Sequence, residues 1–506
     1  MKNMHLSMDV KKRRIAIIGL DGMSWNILLR YIDYVPNIKK LIRESLIGVL
    51  RCIPPLTHPS WTTIFTGVRM NKHGVYGFTK YIKHGGSIKP TFYNSTDVRV
   101  PRLSEILALF DYKSLVIGFP LSYPIRGWYL KNHVLVYDAF APKPFVYPPK
   151  YSDYLKFFKY IDYKQVRPSD LAEKIVNNMV KYVELRIKCI ELLLSEVNPD
   201  IMIVIFSETD NAMHIKPNIA GKSYDPKYAR LLALIDEFIG NIVKSFDIVL
   251  IVSDHGIELY RKGINMARLV TILDPSYQST LKELLISTIV SNYFMGLIFY
   301  SMLKHEISYK IFYHIRKNIR NAALGNTLRR VNASIVNFEG KLDERRIFLD
   351  LVDAGDSWLI YLRDKRMIEH SIRLVKKLLG EKIQSIEVTK ALDDTYAVLI
   401  IPSEGFYLEF GDLHAMNGKS VLWYPSTRHS PYGIFLLWQK GVGAGKYVGI
   451  VENYDVLLSV LALLGAPLPS YSDGSVTRII ESRYNTYNYL DYRPIWKIVK
   501  RMYWLR

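Results

Sequence analysis

The chain has 506 residues, 49% of them hydrophobic and 23% charged, with a formal net charge of +21. A chain of that length and ordinary composition can bury a large core and hold two or three domains. Its two cysteines, Cys52 and Cys189, exclude a disulfide framework and a cysteine-based zinc site, and they suit a reducing, cytoplasmic setting. The positive excess points either to an anionic partner (phosphate substrate, membrane surface or nucleic acid) or to a solvated basic surface.

The basic segment from Met1 to Arg14 precedes an apolar stretch that runs only from Ile15 to Leu20, too short for a signal-peptide core. It reads as a tail entering the first strand, which Asp21 closes. A helix is expected over 36–46. In Ile53-Pro-Pro-Leu-Thr57-His-Pro-Ser60-Trp-Thr-Thr-Ile-Phe-Thr-Gly67, Pro59 suits the first turn of a helix and Gly67 its end. Thr57 is then just ahead of a helix N-terminus, where free N–H groups and the dipole favour an anion. A simple threonine N-cap would account for the same placement. Further helices are expected over 101–110 and 170–196, an inner strand over 113–119, and a loop and lid over the Pro-, Tyr- and Phe-rich stretch 140–168.

Two more apolar runs end in acidic residues. Ile201 to Phe206 leads to Asp210, and Ile248 to Val252 leads to Asp254-His255, with a helix over 226–244 between them. Continuous apolar runs read as strands buried on both faces, as in a parallel sheet, and ligands of such sheets lie at the carboxyl ends of the strands. Asp21, Asp210 and Asp254 therefore gather on one edge, where clustered carboxylates call for a metal. His214 follows Asp210 by four residues, which places both on one face of a helical turn.

Beyond residue 255 the pattern changes. Residues 280–332 read as helical and increasingly basic. Leu284 to Leu303 carries no charged residue and admits either a buried helix or a membrane-inserted one. Residues 358–389 read strand, helix, strand, so 256–395 is expected to form an inserted cap with a small α/β part. The α/β pattern resumes with a strand over 433–438, preceded by His429, and a closing helix over 454–464. In the basic aromatic tail, 481–506, the stripe Ile495, Ile498, Val499, Met502 and Leu505 suits a helix docked on the core or one lying on an anionic membrane.

Asp21-Gly22, the run Thr57 to Gly67, Lys72-His73-Gly74, Asp210 with His214, Ser253-Asp254-His255-Gly256, His429 with Gly433, Tyr454-Asp455 through Leu464-Gly465, and Asp473-Gly474 recur in one order. This ordered set resembles the alkaline phosphatase superfamily, and within it the type I phosphodiesterase/nucleotide pyrophosphatase family. The resemblance covers about 14–78, 200–256 and 425–475. It implies an α/β core, 1–255 with 396–480, built on a mostly parallel sheet flanked by helices and carrying the inserted helical and small α/β cap.

The resemblance also implies two divalent ions, zinc first and manganese second. Asp210, His214 and His429 would hold one; Asp21, Asp254 and His255 would hold the other, which also contacts Thr57. The implied reaction is hydrolysis of a phosphodiester or nucleotide pyrophosphate through a phosphothreonine on Thr57, with Ser60 contacting the substrate phosphate. Ser60 stands where nucleotide pyrophosphatases commonly have Asn. Cys52-Ile-Pro-Pro-Leu56 looks superficially like a sulfatase motif but lacks its Arg, which disfavours a sulfatase. The alternatives are a membrane-associated phosphoryl-group transferase or lipid-headgroup phosphodiesterase, and more distantly a phosphomonoesterase. No helix-turn-helix, zinc finger or RNA-binding signature is present, so specific nucleic-acid binding is not expected.

Overall fold

The computed structural model describes residues 13–265, 348–409, 421–476 and 487–497, except 85–86, 126–131, 137–140, 142–143, 158–170, 217–218, 222–223, 261, 355–356, 363–365, 393–394, 404, 423–425 and 444. Its centre is a nine-stranded sheet. Across it the strands run Lys446–Glu452, Leu46–Arg51, Tyr432–Gln439, Ile248–Val252, Ile15–Leu20, Ile201–Phe206, Ser114–Ile117, His133–Val136 and Val146–Tyr147. Ile15–Leu20 lies between Ile201–Phe206 and Ile248–Val252 and is parallel to both. Every residue of these three strands is buried.

That burial explains the uninterrupted apolar runs, because successive side chains enter opposite cores. Ile15 and Ile17 join Trp61, Leu103, Leu107, Val456 and Leu457 on one face. Ala16, Ile18 and Leu20 join Ile38, Val183, Ile190, Leu232 and Phe238 on the other. The helices Thr57–Thr66, Leu103–Ala108 and Asp455–Leu463 cover the first face; Trp25–Arg30, Pro36–Glu44, Leu171–Val197 and Pro226–Ser245 cover the second. Each fully buried Leu, Ile or Phe removes enough apolar surface from water to contribute roughly 1.5–3 kcal/mol. Asp225 caps the helix Pro226–Ser245, accepting from the N–H groups of Lys227 and Tyr228, both at 2.9 Å.

The sheet is mostly parallel, as expected, with two strands reversed: Tyr432–Gln439 runs antiparallel to both its neighbours, and Val146–Tyr147 antiparallel to His133–Val136. Other expectations need correction. The strands Leu46–Arg51 and Lys446–Glu452 had no clear apolar signature, because each has partly exposed positions and a glycine. The stretch 140–168, read as loop and lid, contributes the edge strand Val146–Tyr147 and a 3-10 helix over Pro149–Phe157; residues 158–168 lie outside the described residues. Thr57 does not stand ahead of its helix but opens it, with Leu56 at the cap position and Gly67 closing it in a left-handed conformation.

Two further assemblies bear on the site. Gly256–Tyr260 and Ser426–Ser430 pair as an antiparallel ribbon, with Ile257 opposite His429. Phe348–Ala354, Ser357–Leu362, Thr395–Pro402 and Ile383–Leu392 form a four-stranded antiparallel sheet, with the helix Arg366–Leu379 between its second and third strands in sequence. From that sheet, Leu399 and Ile401 pack with Leu56, Met70 and Tyr76, next to the start of the Thr57 helix.

The uncharged run 284–303 and the basic stretch 280–332 lie outside the described residues. Among the described residues no helix is long and apolar enough to cross a membrane. Residues 492–497 are helical, and Tyr492 and Trp496 are buried, so this part of the tail docks on the protein; residues 498–506 lie outside the described set.

Candidate active site

Three strand ends and one strand beginning meet at a single edge of the sheet. Asp21 follows Ile15–Leu20, and Asp254-His255 follows Ile248–Val252. Asp210 sits in the short helix Glu208–Ile215 that starts just after Ile201–Phe206. His429 arrives from the other direction. Because Tyr432–Gln439 is antiparallel, the residues before it lie at the carboxyl ends of the parallel strands. The ribbon then stacks the His429 ring on the His255 ring, centroids 3.9 Å apart.

Asp21, Asp254 and His255 each have one atom held by the protein and another left bare. Trp61 Nε1 donates to Asp21 Oδ2 at 3.4 Å. The Gly22 N–H donates to Asp254 Oδ1 at 3.2 Å. Nδ1 of His255 lies 3.1 Å from the Gly256 carbonyl, and Nδ1 of His429 lies 2.8 Å from the Pro55 carbonyl. A carbonyl only accepts, so both rings carry a proton on Nδ1 and turn Nε2 inward as a lone pair. Asp21 Oδ1, Asp210 Oδ1, Asp254 Oδ2 and His255 Nε2 are buried and carry no hydrogen bond. Buried polar atoms are nearly always satisfied, and a converging group of bare ones offers donor atoms that an ion could take up.

Distances agree with that interpretation. His255 Nε2 lies 3.3 Å from Asp254 Oδ2 and 3.6 Å from Asp21 Oδ1. His214 Nε2 lies 3.4 Å from Asp210 Oδ2 and 2.8 Å from His429 Nε2. Two groups have potential donor atoms all within 4.8 Å of one another: Asp21, Asp254 and His255; and Asp210, His255 and His429. The first is the triplet expected from the sequence. In the second, His255 takes a place beside Asp210 and His429, while His214 stands at the mouth with its side chain 47% exposed. Mixed carboxylate and imidazole donors suit zinc or manganese.

The titration behaviour has the same origin. Burial, and then the charges of Asp254 and Asp210, push the Asp21 carboxyl well above the usual range. Burial and then Asp210 raise Asp254 to about 8. Burial drives His255 and His429 down to about 3, so both imidazoles are neutral. His214 shifts upward because of its contact with Asp210. The carboxylates thus favour protons wherever no cation replaces them.

Thr57 is 5% exposed and opens its helix, so the positive end of the helix dipole falls on its hydroxyl. Ser60 is fully buried. Its Oγ donates to the Asp254 carbonyl at 2.5 Å and accepts from Asn453 Nδ2 at 3.3 Å. In this arrangement the Ser60 hydroxyl faces protein atoms. Sequence reasoning also missed the supports behind the carboxylates. Thr209 Oγ1 lies 2.6 Å from the Asp21 carbonyl and 2.8 Å from that of Phe206. Ser253 Oγ donates to the Met23 carbonyl at 2.7 Å. Gly22 has φ +67, and a Cβ there would come within 2.5 Å of Asp210 Oδ1, so only glycine suits both the turn and the crowding.

A buried ion pair underlies the Asp210 helix. Arg186 occupies a position in the inward stripe Val176, Met179, Val183, Ile190, Leu193 and Val197. Its Nη1 donates to both Glu208 oxygens, at 2.6 and 2.8 Å, and Nη2 donates to the Ile205 carbonyl at 2.8 Å. An arginine in an apolar helix stripe was the available sequence signal, with Glu208 its partner across more than twenty residues.

A model of the type I phosphodiesterase/nucleotide pyrophosphatase family matches residues 15–415. The chain belongs to that family. It is therefore a phosphodiesterase/pyrophosphatase-type hydrolase, and the alkaline phosphatase superfamily implied by its motifs holds. His429 lies beyond the matched residues and joins the site through the fold. Among solved structures, phosphonoacetate hydrolase from Sinorhizobium meliloti 1021, in complex with phosphonoacetate, shares 12% identity over 90% of this chain and 96% of that one, with a TM-score of 0.50. Murine ectonucleotide pyrophosphatase/phosphodiesterase 5, in complex with AMP, shares 12% identity over 92% and 98% of the two chains, with a TM-score of 0.49. At such identity the likeness to phosphonoacetate hydrolase is one of fold. No curated protein matches the sequence.

Proposed function

We propose that the protein is a metal-dependent phosphodiesterase or nucleotide pyrophosphatase that works through a covalent phosphothreonine on Thr57. The observation that carries this reading is the convergence of the bare atoms of Asp21, Asp210, Asp254 and His255 at the edge of the sheet where the family's reaction would occur. Asp21, Asp254 and His255 would hold one divalent cation, and Asp210 and His429 with His214 the other. Bound there, the cations would supply charge neutralisation and Lewis acidity toward the phosphoryl oxygens and the Thr57 hydroxyl.

The residues of the chain then have distinct tasks. Thr57 Oγ attacks phosphorus, forming a new P–O bond as the bond to the leaving-group oxygen breaks; the hydroxyl proton is released. Water attacks the phosphothreonine, breaking the P–O bond to Thr57 and restoring the hydroxyl. The helix dipole at Thr57 favours the negative charge that grows on the non-bridging oxygens. Neutral His255 and His429, each fixed through Nδ1, present lone pairs and do not add positive charge of their own. A phosphate-ester or nucleotide substrate fits this chemistry.

Hydrolysis of an aryl phosphodiester by wild type, T57A and chelator-treated protein tests the proposal. Loss of a catalytic nucleophile costs on the order of 10⁶ in kcat in a serine protease, and both treated samples are expected to fall to background. Full activity in either one would reject the mechanism. Parallel assays on phosphomonoesters, dinucleotides and sulfate esters assign the substrate class.

A further inference from the structure

We infer that Ser60 and Trp61 are positioning residues that hold the Thr57 helix in register with Asp254 and Asp21. The inference rests on the nucleophile and cation reading above and adds to it a role for two neighbouring side chains. They are consecutive in one helix and reach the two carboxylate-bearing strand ends separately. Ser60 Oγ donates to the Asp254 carbonyl at 2.5 Å, and Asn453 Nδ2 donates to the same Oγ at 3.3 Å. With one lone pair occupied by Asn453, the hydroxyl proton is directed to Asp254. Trp61 Nε1 donates to Asp21 Oδ2 at 3.4 Å, leaving Oδ1 as the bare donor atom.

Thr57 and Trp61 are four residues apart and share a face of the helix. Any rotation or slide of the helix that moves Thr57 also strains the indole contact to Asp21 and the hydroxyl contact to Asp254. The strand leading to Asp21 is shaped for this contact: a Cβ on Gly19 would lie 2.5 Å from Trp61 Cη2. Gly22, Gly256 and Pro55 hold Asp254, His255 and His429 through backbone groups. The Trp61 contact to Asp21 uses a side chain, so it can be removed by substitution. Groups that orient metal ligands typically change metal affinity about 10–100-fold when lost, and a 1 Å misplacement of reacting groups can cost about 100-fold in rate.

The test uses full-length wild type, W61F and S60A. Zinc is titrated into the metal-free proteins against a chromophoric chelator, kcat and KM are measured on the zinc-loaded proteins with an aryl phosphodiester, and thermal melts verify folding. W61F is expected to weaken one zinc equivalent about 10–100-fold. S60A is expected to lower kcat up to about 100-fold with KM nearly unchanged. Wild-type zinc affinity in W61F overturns the role of Trp61. For S60A, a raised KM with retained kcat makes Ser60 a substrate contact instead, and unchanged kinetics remove it from the site; either overturns its positioning role. Should W61F fail to fold, S60A alone decides. T57A separates the two layers: if it stays active, the nucleophile assignment fails, while the zinc arm still reports whether Trp61 orients Asp21.

Discussion

Removing the cations should make folding stability fall with pH in a defined window. In the metal-free protein the Asp21–Asp254 pair retains a proton up to about pH 8, judged by the upward shift of Asp254. The unfolded chain releases the corresponding proton near pH 4. A group whose folded pKa is raised gives its full stabilisation below the unfolded value and loses it as pH rises toward the folded one. The buried histidines oppose this at lower pH. His58, His73, His133, His255 and His429 are pushed to about 3 by burial, so their contribution grows as pH rises and is complete near their unfolded value of about 6.5. Between about pH 6.5 and 8 the carboxylate effect stands nearly alone, with His214 acting in the same direction. The Asp254 proton alone over that interval, at about 1.4 kcal/mol per pH unit, amounts to about 2 kcal/mol, and the upward shift of Asp21 acts in the same direction. Bound divalent cations keep the carboxylates ionised, so the loaded protein should not show the decline, and its metal affinity should increase with pH. Urea unfolding at pH 6.5 and 8.0, with and without chelator, measures this, and D254N in the chelated state should diminish the drop. Equal stability of the chelated protein at both pH values, or an undiminished drop in D254N, would refute the reasoning.

Other expectations follow from particular contacts. H214A removes the half-exposed imidazole beside Asp210 and should release one metal equivalent while the buried Asp21, Asp254 and His255 group keeps the other; metal analysis after dialysis would show one ion lost, and loss of both or neither would contradict the division. R186M leaves the Glu208 carboxylate buried without its bidentate partner and should cost about 3–5 kcal/mol, whereas R186M with E208L should be milder; denaturant unfolding of single and double variants measures the difference. G22A combines an unfavourable positive φ with a Cβ 2.5 Å from Asp210 Oδ1. It is expected to destabilise the fold and lower zinc affinity together, by unfolding and chelator competition; wild-type values in both would show that the turn relaxes freely.

The amphipathic helices were legible because their apolar stripes recur at helical spacing. Gly67 marked the end of the Thr57 helix correctly, but Pro59 placed its beginning two residues late, since Leu56 has no capping side chain and the helix starts without a sequence signal. The family resemblance put Ser60 at the substrate phosphate; the packed helix turns its hydroxyl to the Asp254 carbonyl and to Asn453. Leu46–Arg51 was missed because its partly exposed positions and Gly48 break the pattern that marks a doubly buried strand.

The sequence by itself determined that Asp21, Asp210 and Asp254 lie just beyond the carboxyl ends of inner strands. Burial on both faces of a sheet demands a continuous apolar run, and that demand is local, so it is written in consecutive residues. Tertiary structure alone decided how those ends face one another. The Gly22 N–H that orients Asp254 lies 232 residues from it in sequence, and His429 reaches the cluster because one strand runs backward and one ribbon pairs. Which carboxylate oxygen is held and which is left bare depends on backbone groups and on Trp61, brought in by long-range packing that no local pattern encodes.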